Sequence, residues 1–269
     1  MSINIDFLER AYFYFDEPVS YPLQNKNIIY INPITLKQSE FFLQCADILN
    51  INKNESSSVE IIQMSYLDFL VFHKMKEEKE KYKLGYLLST CLNLKNPRIQ
   101  IDEKGKSYIA DGENSDTIIT SKDFEDIRRI IMYQNILHYD DSYINPDLKK
   151  AIEETNELKN KNLVPPNVER KIAIITSHTG LSKEEQLRMT FRSHSVLFEE
   201  VVREVDYSTA RSICLLGGKD MENWIFRDKK GKFEGYVMDA DSYTKVISGN
   251  NSGLENVPVS SSGFPEIKV

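Results

Sequence analysis

The chain has 269 residues, 41% of them hydrophobic, which is enough to bury a substantial core as one large domain or two smaller ones with tails. Its 34 Lys and Arg against 41 Asp and Glu leave a net charge of -7, which argues against broad, non-specific binding to nucleic acid. The first ten residues carry Asp6 and Glu9 where a signal peptide needs a basic start and an apolar run, and no stretch approaches the roughly 20 apolar residues of a membrane span, so a soluble intracellular protein is expected.

Taken in order, residues 6–15 put Phe7, Leu8, Tyr12 and Phe15 at helical spacing, and Pro18 and Pro22 stop the pattern. Residues 27–34 read as a strand. Thr35 and Gln38 are spaced as a capping box that opens a helix through Phe42, Ala46 and Leu49. Ser57 and Glu60 repeat the device, and the run through Ile61, Met64, Leu67, Leu70 and Phe72 is apolar nearly all round, so one helix at the centre of the first domain is expected. Residues 74–83 alternate in charge as a solvated surface does, and 84–94 read as a further buried helix. Residues 98–101 and 107–110 then alternate as the strands of a hairpin whose turn uses Gly105.

From Ser121 the pattern turns helical, with Phe124, Ile127, Ile131 and Gln134 on one face of a helix ending near His138. Asn145-Pro146 starts another, which Pro165-Pro166 closes off. Residues 172–205 hold two helical patterns joined at Gly180. The second opens with Ser182 and Glu185 in capping-box spacing, and Leu187, Phe191, His194, Phe198, Val201 and Val205 then step by four and three along one buried stripe of a long helix. Residues 207–216 read as one more short helix closed by Gly217-Gly218, and 224–237 as a hairpin around Asp228-Lys229-Lys230-Gly231. These elements amount to an α+β protein, predominantly helical with small β-hairpins and a flexible C-terminal tail. The expected parts are 1–116 (α/β), 117–218 (helical), 219–247 (hairpin) and 248–269 (tail).

No chemistry-bearing motif in the sequence is complete by spacing. Gly217-Gly218-Lys219-Asp220 lacks the earlier glycine and the following hydroxyl of a phosphate loop. Asp239, Asp241 and Tyr243 begin like a calcium loop but put an aromatic ring at a ligand position. His73, His138, His178 and His194 show no metal-ligand spacing, and Cys45, Cys91 and Cys214 lie far apart without a C-x-x-C, as buried thiols do. No cofactor or metal is implied, and the chain reads as a non-enzyme. Two sharper alternatives stand beside that reading. Asp140-Asp141 with His138 could hold a divalent metal in a small hydrolase, although adjacent acids in a turn-rich loop ordinarily make turn hydrogen bonds. Residues 172–192 have the outline of a helix-turn-helix presenting Lys183, Arg188 and Arg192 to DNA. Against it, Glu184 and Glu185 would face the phosphates, and Gln186 falls where that motif packs an apolar residue.

A protein that acts by binding needs exposed apolar anchors. Trp224, Phe226, Phe233 and Tyr236 are crowded into a two-stranded element too small to hide them all, which makes them the partner-binding candidates. Tyr30-Ile31-Asn32-Pro33, Gln63-Met64-Ser65-Tyr66-Leu67, Asp123-Phe124 with Gln134-Asn135, Asp140-Asp141 and Pro146, and finally Met189-Thr190-Phe191 together resemble tail-morphogenesis proteins of large contractile-tailed bacteriophages, of the tail assembly chaperone or baseplate hub type. The resemblance implies a non-enzymatic protein that binds tape-measure, tail-tube or baseplate components, or a second copy of itself. Its place would be the cytoplasm of the infected host or the virion tail. It brings no catalytic residue with it.

Overall fold

In a computed structural model the chain is α+β and mostly helical, with one two-stranded and one three-stranded antiparallel sheet among the described residues. The structure describes residues 3–56, 58–113, 117–141, 146–160 and 164–218. Two units emerge, the first made of residues 1–142 and 172–197 and the second of 143–171 and 198–269.

In the first unit α1 (Ile5–Ala11) is capped by Asn4, whose side-chain oxygen accepts the Phe7 N–H at 3.0 Å. A 3₁₀ turn, Phe13–Phe15, leads to β1 (Val19–Pro22), which pairs antiparallel with β2 (Ile28–Ile31). Strand β1 departs from the sequence expectation, in which Pro18 and Pro22 only end a helical pattern. A proline closes this strand at little cost because, among the described residues, β1 pairs with β2 alone. The Thr35–Gln38 capping box forms as expected, around the 3₁₀ turn Leu36–Gln38, and α2 (Ser39–Ala46) follows with Phe42, Cys45 and Ala46 inward.

The single apolar helix expected after residue 57 is instead two. The first, α3 (Val59–Gln63), buries none of its residues, whereas α4 (Tyr66–Phe69) and the π turn Leu70–Lys74 bury Tyr66, Leu67, Phe69 and Leu70. Ser65 makes the break: its hydroxyl accepts the Asp68 N–H at 3.1 Å and donates to the Asp68 carboxylate at 2.6 Å, which caps α4 and leaves Met64 extended. Ser57 lies outside the described residues, and Ser58 takes the N-cap position of α3.

Beyond α5 (Glu78–Leu92), β3 (Arg98–Ile101) and β4 (Ser107–Ala110) form where alternation placed them, with Gly105 at φ 75° in their turn. A third strand, β5 (Ile118–Thr120), completes the sheet in the order β3-β4-β5, and Ile109 opposite Ile119 is wholly buried. Three residues are too few to show alternation, so the sequence gives no sign of it. Next, α6 (Ser121–Asn135) opens on a Thr120–Asp123 capping box and buries Phe124, Ile127, Ile131 and Gln134, the face that periodicity marked. It shares one core with Phe42, Leu67, Leu84 and Ile109, so it belongs with the residues before it, although the sequence placed a boundary at 116.

Further on, α7 (Pro146–Asn160) starts at Pro146 as read. Then α8 (Val168–Thr179) ends at Gly180, φ 78°, and α9 (Lys183–Arg188) opens on the Ser182–Glu185 capping box. The long helix expected from Ser182 to Val205 is interrupted here. Met189 is extended, Thr190 pairs with Thr35 in an isolated antiparallel bridge, and α10 (Phe191–Leu216) begins afresh. The Leu36 N–H donates to the Met189 carbonyl at 2.9 Å and the Phe191 N–H to the Ile34 carbonyl at 2.8 Å. Asp16 accepts the hydroxyls of Thr190 at 2.5 Å and Ser193 at 2.8 Å, which fixes the new helix start.

In the second unit α10 runs from Phe198 to Leu216 without the break expected after Val205, since nothing between 205 and 216 is a glycine or proline. Gly218, at φ 69°, follows its end as read. Val201 is buried, while Val205, the last member of the expected stripe, is 47% exposed.

Candidate functional site

Phe41 and Phe42 are neighbours on α2, about 100° apart around the helix, and only the second turns fully into the core. Phe42 is fully buried, which leaves Phe41 40% exposed. Tyr82 and Tyr86, four residues apart on α5, share a helix face and meet it. The Phe41 ring lies 4.5 Å from that of Tyr86 at 85° and 6.2 Å from that of Tyr82 at 78°, the edge-to-face geometry that aromatic quadrupoles favour. Tyr82 is 65% exposed, so the cluster stays at the surface. Lys83 fixes the register of the two helices that present it. Its ammonium reaches the Asp47 carboxylate, just past the end of α2, at 2.7 Å and the Glu80 carboxylate at 3.2 Å. The surface role expected of residues 74–83 therefore includes one tether. Large rings with one apolar face and little rotamer freedom are the side chains that anchor protein interfaces. The sequence held two signals for this site, the Phe41-Phe42 doublet and the Tyr82/Tyr86 spacing.

The acids and histidines singled out by sequence occupy other environments. The Asp141 carboxylate accepts Arg129 Nε at 2.6 Å, Arg129 Nη2 at 3.3 Å and the Tyr133 hydroxyl at 2.7 Å. Burial pushes its pKa up, but the hydrogen bonds from Arg129 and Tyr133 outweigh that and hold the carboxyl below its ordinary value. Tyr133 also packs edge-on against Tyr139 at 4.9 Å. Asp141 thus clips the chain beyond α6 back onto that helix. His138 sits in the same turn at φ 62°. Among the described residues no group of three or more His, Cys, Asp or Glu is placed to hold a metal.

The junction of α8, α9 and α10 is organised by Gln186, which is wholly buried. Its amide nitrogen donates to Thr176 Oγ1 at 2.9 Å, the Leu181 carbonyl at 3.1 Å and the Ile172 carbonyl at 3.3 Å, and its amide oxygen lies 3.2 Å from Nε2 of the buried His194. A glutamine here replaces apolar packing with a polar knot whose partners are satisfied. Of the three basic residues considered for DNA contact, Lys183 and Arg188 are exposed but Arg192 is 9% exposed. Its guanidinium donates to the Tyr133 carbonyl at 2.9 Å, pairs with Glu9 and lies over the Phe13 ring. It is an internal clamp, and α10 presents no Arg192 side chain to a groove.

Cys45 and Cys91 are buried, as expected of core thiols, and burial pushes the Cys91 thiol up to about 12, whereas Cys214, for which burial was equally expected, is partly exposed near the end of α10. The partner-binding candidates Trp224, Phe226, Phe233 and Tyr236 lie outside the described residues, as do Lys219, Asp220, Asp239, Asp241 and Tyr243. No family model, curated protein or solved structure matches the chain.

Proposed function

We propose that this chain is a non-enzymatic binding protein that engages a protein partner through the Phe41–Tyr82–Tyr86 surface, in the assembly of a contractile phage tail. The exposed ring cluster carries the reading: two helices locked in register by Lys83 hold large apolar groups at the surface, where burying them against a partner is favourable. The Arg129 and Tyr133 bonds to Asp141 favour it over a metal-dependent hydrolase, because they occupy the carboxylate such an enzyme would use. The internal place of Arg192 favours it over a DNA-binding regulator. The tail setting rests on the sequence phrases that resemble tail-morphogenesis proteins, and the partners are tape-measure, tail-tube or baseplate components, or a second copy, met in the infected host cytoplasm or the virion. Trp224, Phe226, Phe233 and Tyr236 are the second set of anchors.

The test is affinity capture from phage-infected cells with mass spectrometry, using the full chain, its Phe41→Ser/Tyr82→Ser variant and a chain ending at Leu216. Tail proteins captured by the full chain and lost with the double variant are the expected result. Loss with the shortened chain would add the C-terminal anchors. Recovery of no virion protein would remove the tail setting, and undiminished capture by the double variant would remove the ring cluster as an anchor.

A further inference from the structure

The first unit has a cleft of about 360 Å³ between β1 and α6, well away in sequence from the ring cluster. Its size falls at the small end of ligand sites, and its walls are aliphatic, from Leu8, Val19 and Ile130. Three charged residues line it, Asp123, Asp126 and Lys122, so its formal charge is -1 if all are ionised. Asp123 is committed elsewhere, because its carboxylate accepts the N–H and hydroxyl of Thr120 at 3.1 and 2.8 Å in the cap of α6. Asp126 is not. Tyr21 donates its hydroxyl to Asp126 Oδ2 at 3.0 Å, and among the described residues no Lys, Arg or His forms an ion pair with that carboxylate. Burial and the two nearby carboxylates raise the Tyr21 pKa above its ordinary value, in keeping with a negative field in the cleft. A half-buried carboxylate beside apolar walls, without an ion pair among the described residues, is an environment that a cation on an aliphatic stem complements.

We infer that this cleft receives the side chain of a lysine presented by a partner protein, with the stem along Leu8, Val19 and Ile130 and the ammonium on Asp126. The chemistry selects that cation over others. Calcium or magnesium would need six or more oxygen ligands, including water, and Asp126 offers one free carboxylate oxygen. A guanidinium is read best by two carboxylate oxygens side by side, and one of these already holds Tyr21. An ammonium is a point charge that one oxygen satisfies, with Ser20 and Gln24 in the same lining to accept hydrogen bonds from its remaining N–H groups. Lys122 in the same lining repels a second positive charge, which favours a single lysine over a free diamine. The inference rests on the reading of the chain as a protein-binding component, but its site is separate from the ring cluster.

The experiment therefore uses small probes and needs no partner. Amide NMR spectra of the ¹⁵N-labelled full chain are followed during titration with Nα-acetyl-lysine methylamide, its norleucine and arginine counterparts, and cadaverine. The lysine probe should give saturable shifts at Tyr21, Gln24, Lys122 and Asp126, with affinity on the order of millimolar and at least about tenfold above that of norleucine. Asp126→Asn keeps an acceptor for Tyr21 and should abolish the lysine preference, while Lys122→Ala, an exposed change that leaves the fold intact, should strengthen binding. Equal binding of norleucine, unchanged lysine binding by Asp126→Asn, or tighter binding of arginine or cadaverine would each overturn the assignment. Capture of tail proteins through the ring cluster can succeed or fail independently of this result.

Discussion

Replacing Asp141 with alanine separates a structural clip from a metal ligand. Three hydrogen bonds converge on this carboxylate, two from the Arg129 guanidinium and one from the Tyr133 hydroxyl. Bonds to charged groups contribute about 1.5–3 kcal/mol, but the side chains of Asp141 and Arg129 are 18% and 24% exposed, so Arg129 can rehydrate once its partner is gone. The net cost is then about 1–3 kcal/mol, and at roughly 2–4 °C per kcal/mol for a chain of this size the melting temperature should fall by about 2–12 °C at pH 7. The pH dependence has a definite sign. A carboxyl whose folded pKa is depressed gives stability that is present above the unfolded value, near 4, and is lost as pH falls through the folded value. The gap between wild type and Asp141→Ala should therefore hold from pH 7 to about 5 and close at lower pH. Circular dichroism melts at stepped pH, with EDTA and with millimolar magnesium or manganese, measure all of this. A variant that melts within a degree of the wild type would refute the clip. So would metal stabilisation of the wild type that the variant lacks, which would restore the hydrolase reading.

Gln186→Leu keeps volume but leaves His194 Nε2 without its amide partner, and should lower the urea midpoint by the equivalent of about 1–3 kcal/mol; an unchanged midpoint would show the polar knot contributes nothing. Arg192→Met should cost about 2–4 kcal/mol by stranding Glu9, and Arg188→Met less than about 0.5, so equal effects in denaturant titrations would contradict the internal place of Arg192. With Cys91 wholly buried and its thiol pushed up to about 12, a thiol reagent at pH 8 should modify the partly exposed Cys214 first and Cys91 only on unfolding; early loss of the Cys91 thiol in peptide mapping would contradict the core placement.

Much of the first unit could be read from periodicity and caps. The Thr35–Gln38 and Ser182–Glu185 boxes, the β3–β4 hairpin and the buried face of α6 needed only local chemistry, and local chemistry is what short spacings record. The misplaced helix ends have non-local causes or overlooked ones. The break at Met189 is made by Ile34, Thr35, Leu36 and Asp16, more than 150 residues away, whereas the break at Met64 was signalled by Ser65 and Asp68 but masked by the apolar run around them. Strand β1 was hidden by its proline and β5 by its brevity. The ring cluster joins α2 to α5 across forty residues, and the cleft joins β1 to α6 across a hundred, so neither could be assembled from spacing alone. What remained legible were its halves: the Phe41-Phe42 doublet, and Tyr82 four residues before Tyr86.

The central claim is that Phe41 and Tyr82 anchor a protein partner. The most direct measurement is the affinity of the purified full chain, and of Phe41→Ser and Phe41→Ser/Tyr82→Ser, for the tail component recovered by capture, by biolayer interferometry. Two exposed rings buried at an interface contribute about 1–2 kcal/mol each, so the double variant should bind at least about thirtyfold more weakly while its melting temperature stays close to the wild type. A double variant that folds and binds with wild-type affinity would contradict the account.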